Sequence, residues 1–134
     1  MKNCRTTSKN KIFKFEEQRS SLTLENIDQV LSTKIIVDGC EINDNDVKCD
    51  YLHLAKGMEM YIELKGQDIL HAMKQIERTM KLLSSNYQKQ AKISYIICTR
   101  SPLTSTEIQN YDRQFRAKFN SKLIIRSSPY RDSY

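Results

Sequence analysis

"MYIELKGQD", residues 60–68, is apolar at Met60, Tyr61, Ile62 and Leu64 but sets Glu63 and Lys65 two positions apart. Residues two apart on a strand point the same way. A strand that otherwise asks for burial therefore carries a carboxylate and an ammonium on one face. Upstream, "VKCDYLHL" (47–54) and the apolar run 34–42 within "TKIIVDGCEI" read as two more strands, separated by "NDND" (43–46) and by "AKGM". The three are predicted to form an antiparallel meander with two-residue turns at Asp44-Asn45 and Lys56-Gly57.

That register puts Asp50 opposite Glu63, Lys48 opposite Lys65, Gly39 opposite Asp50, Glu41 opposite Lys48 and Cys40 opposite Cys49. Directly opposed side chains lie about 4.5–5.5 Å apart at Cβ, and like charges so placed repel unless something neutralises them. Flanked by Ile62 and Leu64, the Asp50 and Glu63 carboxylates are poorly screened by solvent. A divalent cation such as Mg²⁺ would neutralise them, since it takes a few carboxylates and keeps positions open for water and phosphate oxygens. The plainer account is that Lys48, Lys65 and solvent screen the pair.

Working outward, "SLTLENIDQVL" from Ser21 places Leu24, Ile27, Val30 and Leu31 on one side of a predicted short amphipathic helix. Segment 67–83 repeats Ile69, Met73, Ile76, Met80 and Leu83 at helical spacing, with Asp68 or Gln67 near the N-cap. "KISYIICTR" (92–100) reads as a buried strand. Thr104 and Glu107 have capping-box spacing, with Leu103 and Ile108 as a staple, ahead of a helix carrying Tyr111, Phe115 and Phe119. "KLIIRS" (122–127) is the last strand. The predicted order is αβββαβαβ, one α/β domain over 1–134 with a single mixed sheet, flanking helices and a basic, partly irregular segment 1–20.

The chain has 134 residues and a net charge of +6, with nets of +4 over residues 1–20, −4 over 21–88 and +6 over 89–134. An acidic middle between basic ends suits a polyanion-binding surface around a cation-binding centre. In the basic C-terminal third, Lys89, Lys92, Arg113, Arg116, Lys118 and Arg126 are expected to contact phosphates without reading bases. No run is long and apolar enough for a membrane span, and the basic N-terminus lacks the apolar run of a secretory signal. Cys4, Cys40, Cys49 and Cys98 lack CxxC spacing, which points to free thiols in a reducing, cytoplasmic setting rather than a zinc site.

Asp50 followed thirteen positions later by Glu63-Leu64-Lys65, on the second and third strands of such a chain, resembles the PD-(D/E)XK (restriction-endonuclease-like) nuclease superfamily. Cys49 stands where the motif name has proline. The resemblance implies a metal-dependent nuclease that hydrolyses phosphodiester bonds of DNA, in defence against foreign DNA or in repair. It implies Mg²⁺ or Mn²⁺ held by Asp50, Glu63 and the backbone carbonyl of Leu64, with Lys65 serving the attacking water and the phosphate. Gln75, on the helix after the ExK strand, is similar to a glutamine of several branches. Glu25 is the nearest candidate for a further carboxylate on the first helix, with Glu16, Glu17 and Glu41 as rivals. His71 sits beside Gln75 and Arg78 as a substrate-facing residue. With no visible recognition domain, specificity would come from a homo-oligomer or a partner protein. The alternative is a non-catalytic nucleic-acid-binding or complex-forming module with a nuclease-like fold. Cleavage of RNA is not separable from cleavage of DNA by these residues.

Overall fold

Lys56 and Gly57 both take positive φ, 52° and 69°, the geometry of a two-residue type I′ hairpin. This turn joins β5 (Tyr51–Ala55) to β6 (Met58–Leu64) and pairs Tyr51 with Ile62 and Leu52 with Tyr61. The register expected from the sequence is the one present here. The computed structural model describes residues 3–64, 67–99 and 103–134.

The other elements are β1 (Arg5–Ser8), β2 (Ile12–Glu17), β3 (Ser20–Glu25), β4 (Ser32–Ile36), α1 (Ile69–Leu83), β7 (Lys92–Cys98), α2 (Ser105–Phe119), β8 (Ser121–Ser127) and β9 (Tyr130–Ser133). Strands β1-β4-β5-β6-β7-β8 form one mixed sheet, antiparallel as far as β6 and parallel from β6 to β8. Helices α1 and α2 are the crossovers that parallel neighbours require. Asp68 caps α1, accepting from the His71 amide at 3.1 Å. Thr104 and Glu107 form the expected capping box on α2, and Leu103 and Ile108 pack on the core beneath it.

Three expectations are corrected. The predicted helix from Ser21 is β3: Ser20, Leu22 and Leu24 are buried and alternate with partly exposed Ser21, Thr23 and Glu25. That is a period of two, and it overrides the helical spacing of Ile27 and Leu31, which are left exposed. β3 joins β2 and β9 in a second, three-stranded sheet, so the chain opens with strands and the αβββαβαβ order lacks its first helix. The first hairpin is longer than two residues: Ile35 pairs with Leu52, and residues 37–50 form a loop with a bridge between Asp38 and Ile42. Finally, Cys40 is disulfide-bonded to Cys4, while Cys49 and Cys98 are free and buried. The bridge withdraws the thiol-based argument for a cytoplasmic setting.

Both faces of the large sheet are covered. Ile35, Leu52, Tyr61, Ile96 and Ile125 pack with Ile76 and Met80 of α1 and Phe115 and Phe119 of α2. Ile62, Leu64, Tyr95 and Ile97 pack on Phe13, Phe15, Leu22 and Leu24 of the second sheet. Each such side chain contributes about 1.5–3 kcal/mol by leaving water. Double coverage explains why β6 is apolar on both faces and why its two buried carboxylates, Glu59 and Glu63, stand out. No helix among the described residues is long and apolar enough to cross a membrane.

Candidate functional site

The C-terminal edge of the parallel strands is where β6 delivers Glu63 and Leu64. Asp50 precedes β5, and its amide donates to the carbonyl of Ile62 at 3.1 Å, the residue that Tyr51 already faces, while its side chain lies beside Glu63. The Leu64 amide donates to Asp50 Oδ2 at 2.8 Å. Glu63 is only 7% exposed. Burial pushes the Asp50 carboxyl up from 3.8 to about 6. The Leu64 amide opposes that rise, the Glu17 charge adds to it, and a side-chain hydrogen bond with Glu63 and the charge of Asp38 also act on it. Burial thus disfavours charge at the pair.

Asp50, Glu63, Leu64, Gln67, Asp68, His71, Gln75 and Asp38 line one cavity of about 380 Å³. Gln75 is fixed by donating to the Lys48 carbonyl at 3.1 Å. Lys48 does not face the carboxylate pair: its ammonium donates to the carbonyls of Asp44 and, at 2.8 Å, Asp46. With Arg78 on Asp44 at 2.7 Å, it clasps the loop 43–47 against α1. Lys65 lies outside the described residues.

Asp38 is the cavity carboxylate that the sequence reading missed. The assumed two-residue turn put Gly39 opposite Asp50. In the structure the amides of Val37 and Asp38 both approach the Asp50 carbonyl, at 3.0 and 3.4 Å. The signal was the Asp38-Gly39 pair, a turn dipeptide in which Gly39 takes φ +76°.

Glu25 is not at the site. It ends β3 and pairs with Arg131 of β9 at 2.7 Å. Of its rivals, Glu41 pairs with Arg5 at 2.6 Å rather than with Lys48, and Glu17 is the one whose charge reaches Asp50. Among the described residues, no three His, Cys, Asp or Glu side chains make a ready metal cluster.

The basic residues divide sharply. Lys92 is 2% exposed and donates to the carbonyls of Asn86, Gln90 and Phe119 at 3.1, 2.8 and 2.9 Å. It is a structural cation, and its expected phosphate contact is corrected. It pairs with Glu59, at the far end of β6 from Leu64, about 17 Å away along the strand. Lys89, on the turn before β7, is exposed at that same far end. Arg113, Arg116 and Lys118 are exposed on α2, with Arg116 held by Asp112 at 3.0 Å. Arg126 sits at the acid edge. It is level with Ile97, which is level with Leu64, two strand spacings or about 10 Å across.

No protein-family model matches the chain, and no curated protein and no solved structure matches it either.

Proposed function

We propose that the chain is a divalent-metal-dependent nuclease acting on DNA, with a restriction-endonuclease-like arrangement of β4, β5, β6, α1 and β7. The observation that carries the reading is the Asp50–Glu63 pair. Two carboxyls lie side by side in a desolvated setting that disfavours their charge, and they sit where parallel strands end. Ligands of open α/β sheets bind at such strand ends.

Asp50 and Glu63, with the Leu64 carbonyl, would hold Mg²⁺ or Mn²⁺. Mg²⁺ is commonly bound through one or two carboxylates plus waters and substrate phosphate, so a two-carboxylate site fits it. The ion would supply a Lewis acid for the phosphate and a bound water of lowered pKa. Gln75, fixed by the Lys48 carbonyl, would orient that water or a phosphate oxygen. Lys65 would stabilise charge on the phosphate. Arg126, at the acid edge, would contact the substrate backbone. Lys89, Arg113, Arg116 and Lys118 would act at longer range through the field of a basic surface. A homo-oligomer or partner protein would supply specificity.

The second reading, a non-catalytic nucleic-acid-binding or complex-forming module, draws on one observation. Asp50 Oδ2 already accepts from the Leu64 amide at 2.8 Å without any metal. Incubating plasmid and single-stranded DNA with Mg²⁺, Mn²⁺ or EDTA separates the two readings. Metal-dependent products that disappear in Asp50→Asn support the nuclease. Intact substrate under every metal condition leaves the module.

A further inference from the structure

The two sheets diverge along one side of the molecule. β1 is the outermost strand of the large sheet and β2 of the small one, and between them lies a cleft of about 510 Å³. Lys14 and Lys34 line it together with Ser8, Asn10, Ile12 and Ile36, and none of its lining residues among those described is acidic. Lys34 is set in place: its ammonium lies 4.8 Å from the Phe15 ring centre and 5.2 Å from that of Tyr51, and donates to the Lys14 carbonyl. Lys14 is exposed, as are Lys9 and Lys11 on the approach to β2. Ile12 and Ile36 are 37% and 42% exposed, so the cleft pairs cations with open apolar surface.

Its direction is informative. β4 contributes Lys34 and Ile36 to the cleft and, two residues on, Asp38 to the acid cavity. On the other wall, β2 runs from Ile12 to Glu17, whose charge reaches Asp50. The cleft itself lies on the face of the large sheet that carries Met60 and Ile62, and Glu63 shares the other face with Tyr61.

We infer that this cleft binds single-stranded nucleic acid. Lysines and hydroxyls supply phosphate contacts, and Ile12 and Ile36 supply apolar surface for sugars or unstacked bases. A cleft of about 510 Å³ takes up part of one strand and is too small to take a duplex. This binding does not rest on the nuclease reading.

The test is anisotropy of a fluorescein-labelled oligothymidylate of about 12 nucleotides, in EDTA so that cleavage plays no part, against a duplex of equal length. Wild-type protein is expected to prefer the single strand. Lys14→Glu should weaken it about tenfold and lower the salt slope by about 0.7 per lost phosphate contact, while Lys81→Glu in the last turn of α1 stays within about twofold. Lys14→Gln, with a melting temperature check, replaces Lys14→Glu if the reversal unfolds the protein. Unchanged affinity in a folded Lys14 variant overturns the cleft assignment, as does tighter binding of an oligoglutamate than of the oligonucleotide. A protein that cleaves DNA normally with Lys14 replaced loses the cleft but keeps the nuclease. A protein that binds through Lys14 yet cuts nothing with Mn²⁺ keeps the cleft and loses the nuclease.

Discussion

The Leu64 backbone amide donates to Asp50 Oδ2 at 2.8 Å, so one strand's main chain holds the carboxyl of its neighbour in a site that burial makes hostile to charge. Because that carboxyl is raised from 3.8 to about 6, the folded state binds more protons than the unfolded chain between those values. Stability from this group therefore falls as pH rises through about 4 to 6, and the full cost, about 2–3 kcal/mol, is present above that window. His53, which burial lowers to about 4, has the opposite slope below its ordinary value, so the wild-type profile alone is ambiguous. Asp50→Asn isolates the carboxyl while keeping an acceptor for the Leu64 amide. In metal-free urea melts the variant should match wild type near about pH 4 and exceed it by about 1–2 kcal/mol near about pH 7.5. A variant weaker than wild type at the higher pH would show that the charge is stabilising as it stands.

Lys92 gives a contrasting prediction. Its ammonium donates to three carbonyls in a buried pocket, so Lys92→Met leaves those acceptors without their donor. The expected loss is about 2–4 kcal/mol in a urea melt, with DNA affinity unchanged for the folded fraction. Arg126→Ala should do the reverse, weakening binding with little change in stability. Equal effects of the two substitutions on affinity would remove the distinction drawn between the two ends of the sheet.

The Cys4–Cys40 bridge, with partners 36 residues apart, fastens the start of β1 to the loop that carries Asp38. Closing a loop of this length is worth about 3–4 kcal/mol in the chain-entropy account. Dithiothreitol should lower the melting temperature of wild type and leave Cys4→Ser, already destabilised, unaffected. Intact-mass measurement after alkylation under denaturing, non-reducing conditions should find two reactive thiols, Cys49 and Cys98. Four would show the bridge absent.

How far these features were legible depended on how local their causes are. The Lys56-Gly57 turn is specified by its own backbone geometry, so the β5–β6 register from Ala55↔Met58 to Tyr51↔Ile62 followed from the sequence, and it brings Asp50 beside Glu63. Both helices followed from their periodicity and from caps at Asp68 and Thr104. Ser20–Glu25 was misread because its apolar residues fit two periods. What decides between them is the second sheet, whose β9 comes from more than 100 residues later and has no local trace at Leu22 or Leu24. Asp38 was missed for a related reason. Its place depends on the length of the loop 37–50, which Lys48 and Arg78 clasp to a helix that follows it in sequence. Lys92 shows the limit of charge counting, since burial, not charge, decides what a lysine does.

The last prediction concerns the ion itself. If Asp50 and Glu63 hold Mg²⁺ or Mn²⁺, the metal binds the folded state alone and must raise the melting temperature, by an amount equivalent to about 2.7 kcal/mol at a hundredfold excess over its dissociation constant. Asp50→Asn and Glu63→Gln should each abolish both this rise and cleavage, though neither weakens the metal-free protein. Lys65→Ala should keep most of the metal-induced rise while losing turnover, because an ammonium contributes nothing to holding a cation and much to stabilising phosphate charge. Asp38→Asn discriminates further. If the loop carboxylate acts only through the local field, the metal response should fall by a fraction, whereas a direct ligand would remove it. Melts of these variants with and without Mn²⁺, beside a plasmid cleavage assay, resolve the cases together. A wild-type protein that neither melts later nor cuts DNA when Mn²⁺ is added does not use the carboxyl pair as a metal site, and the non-catalytic module is then the reading to keep.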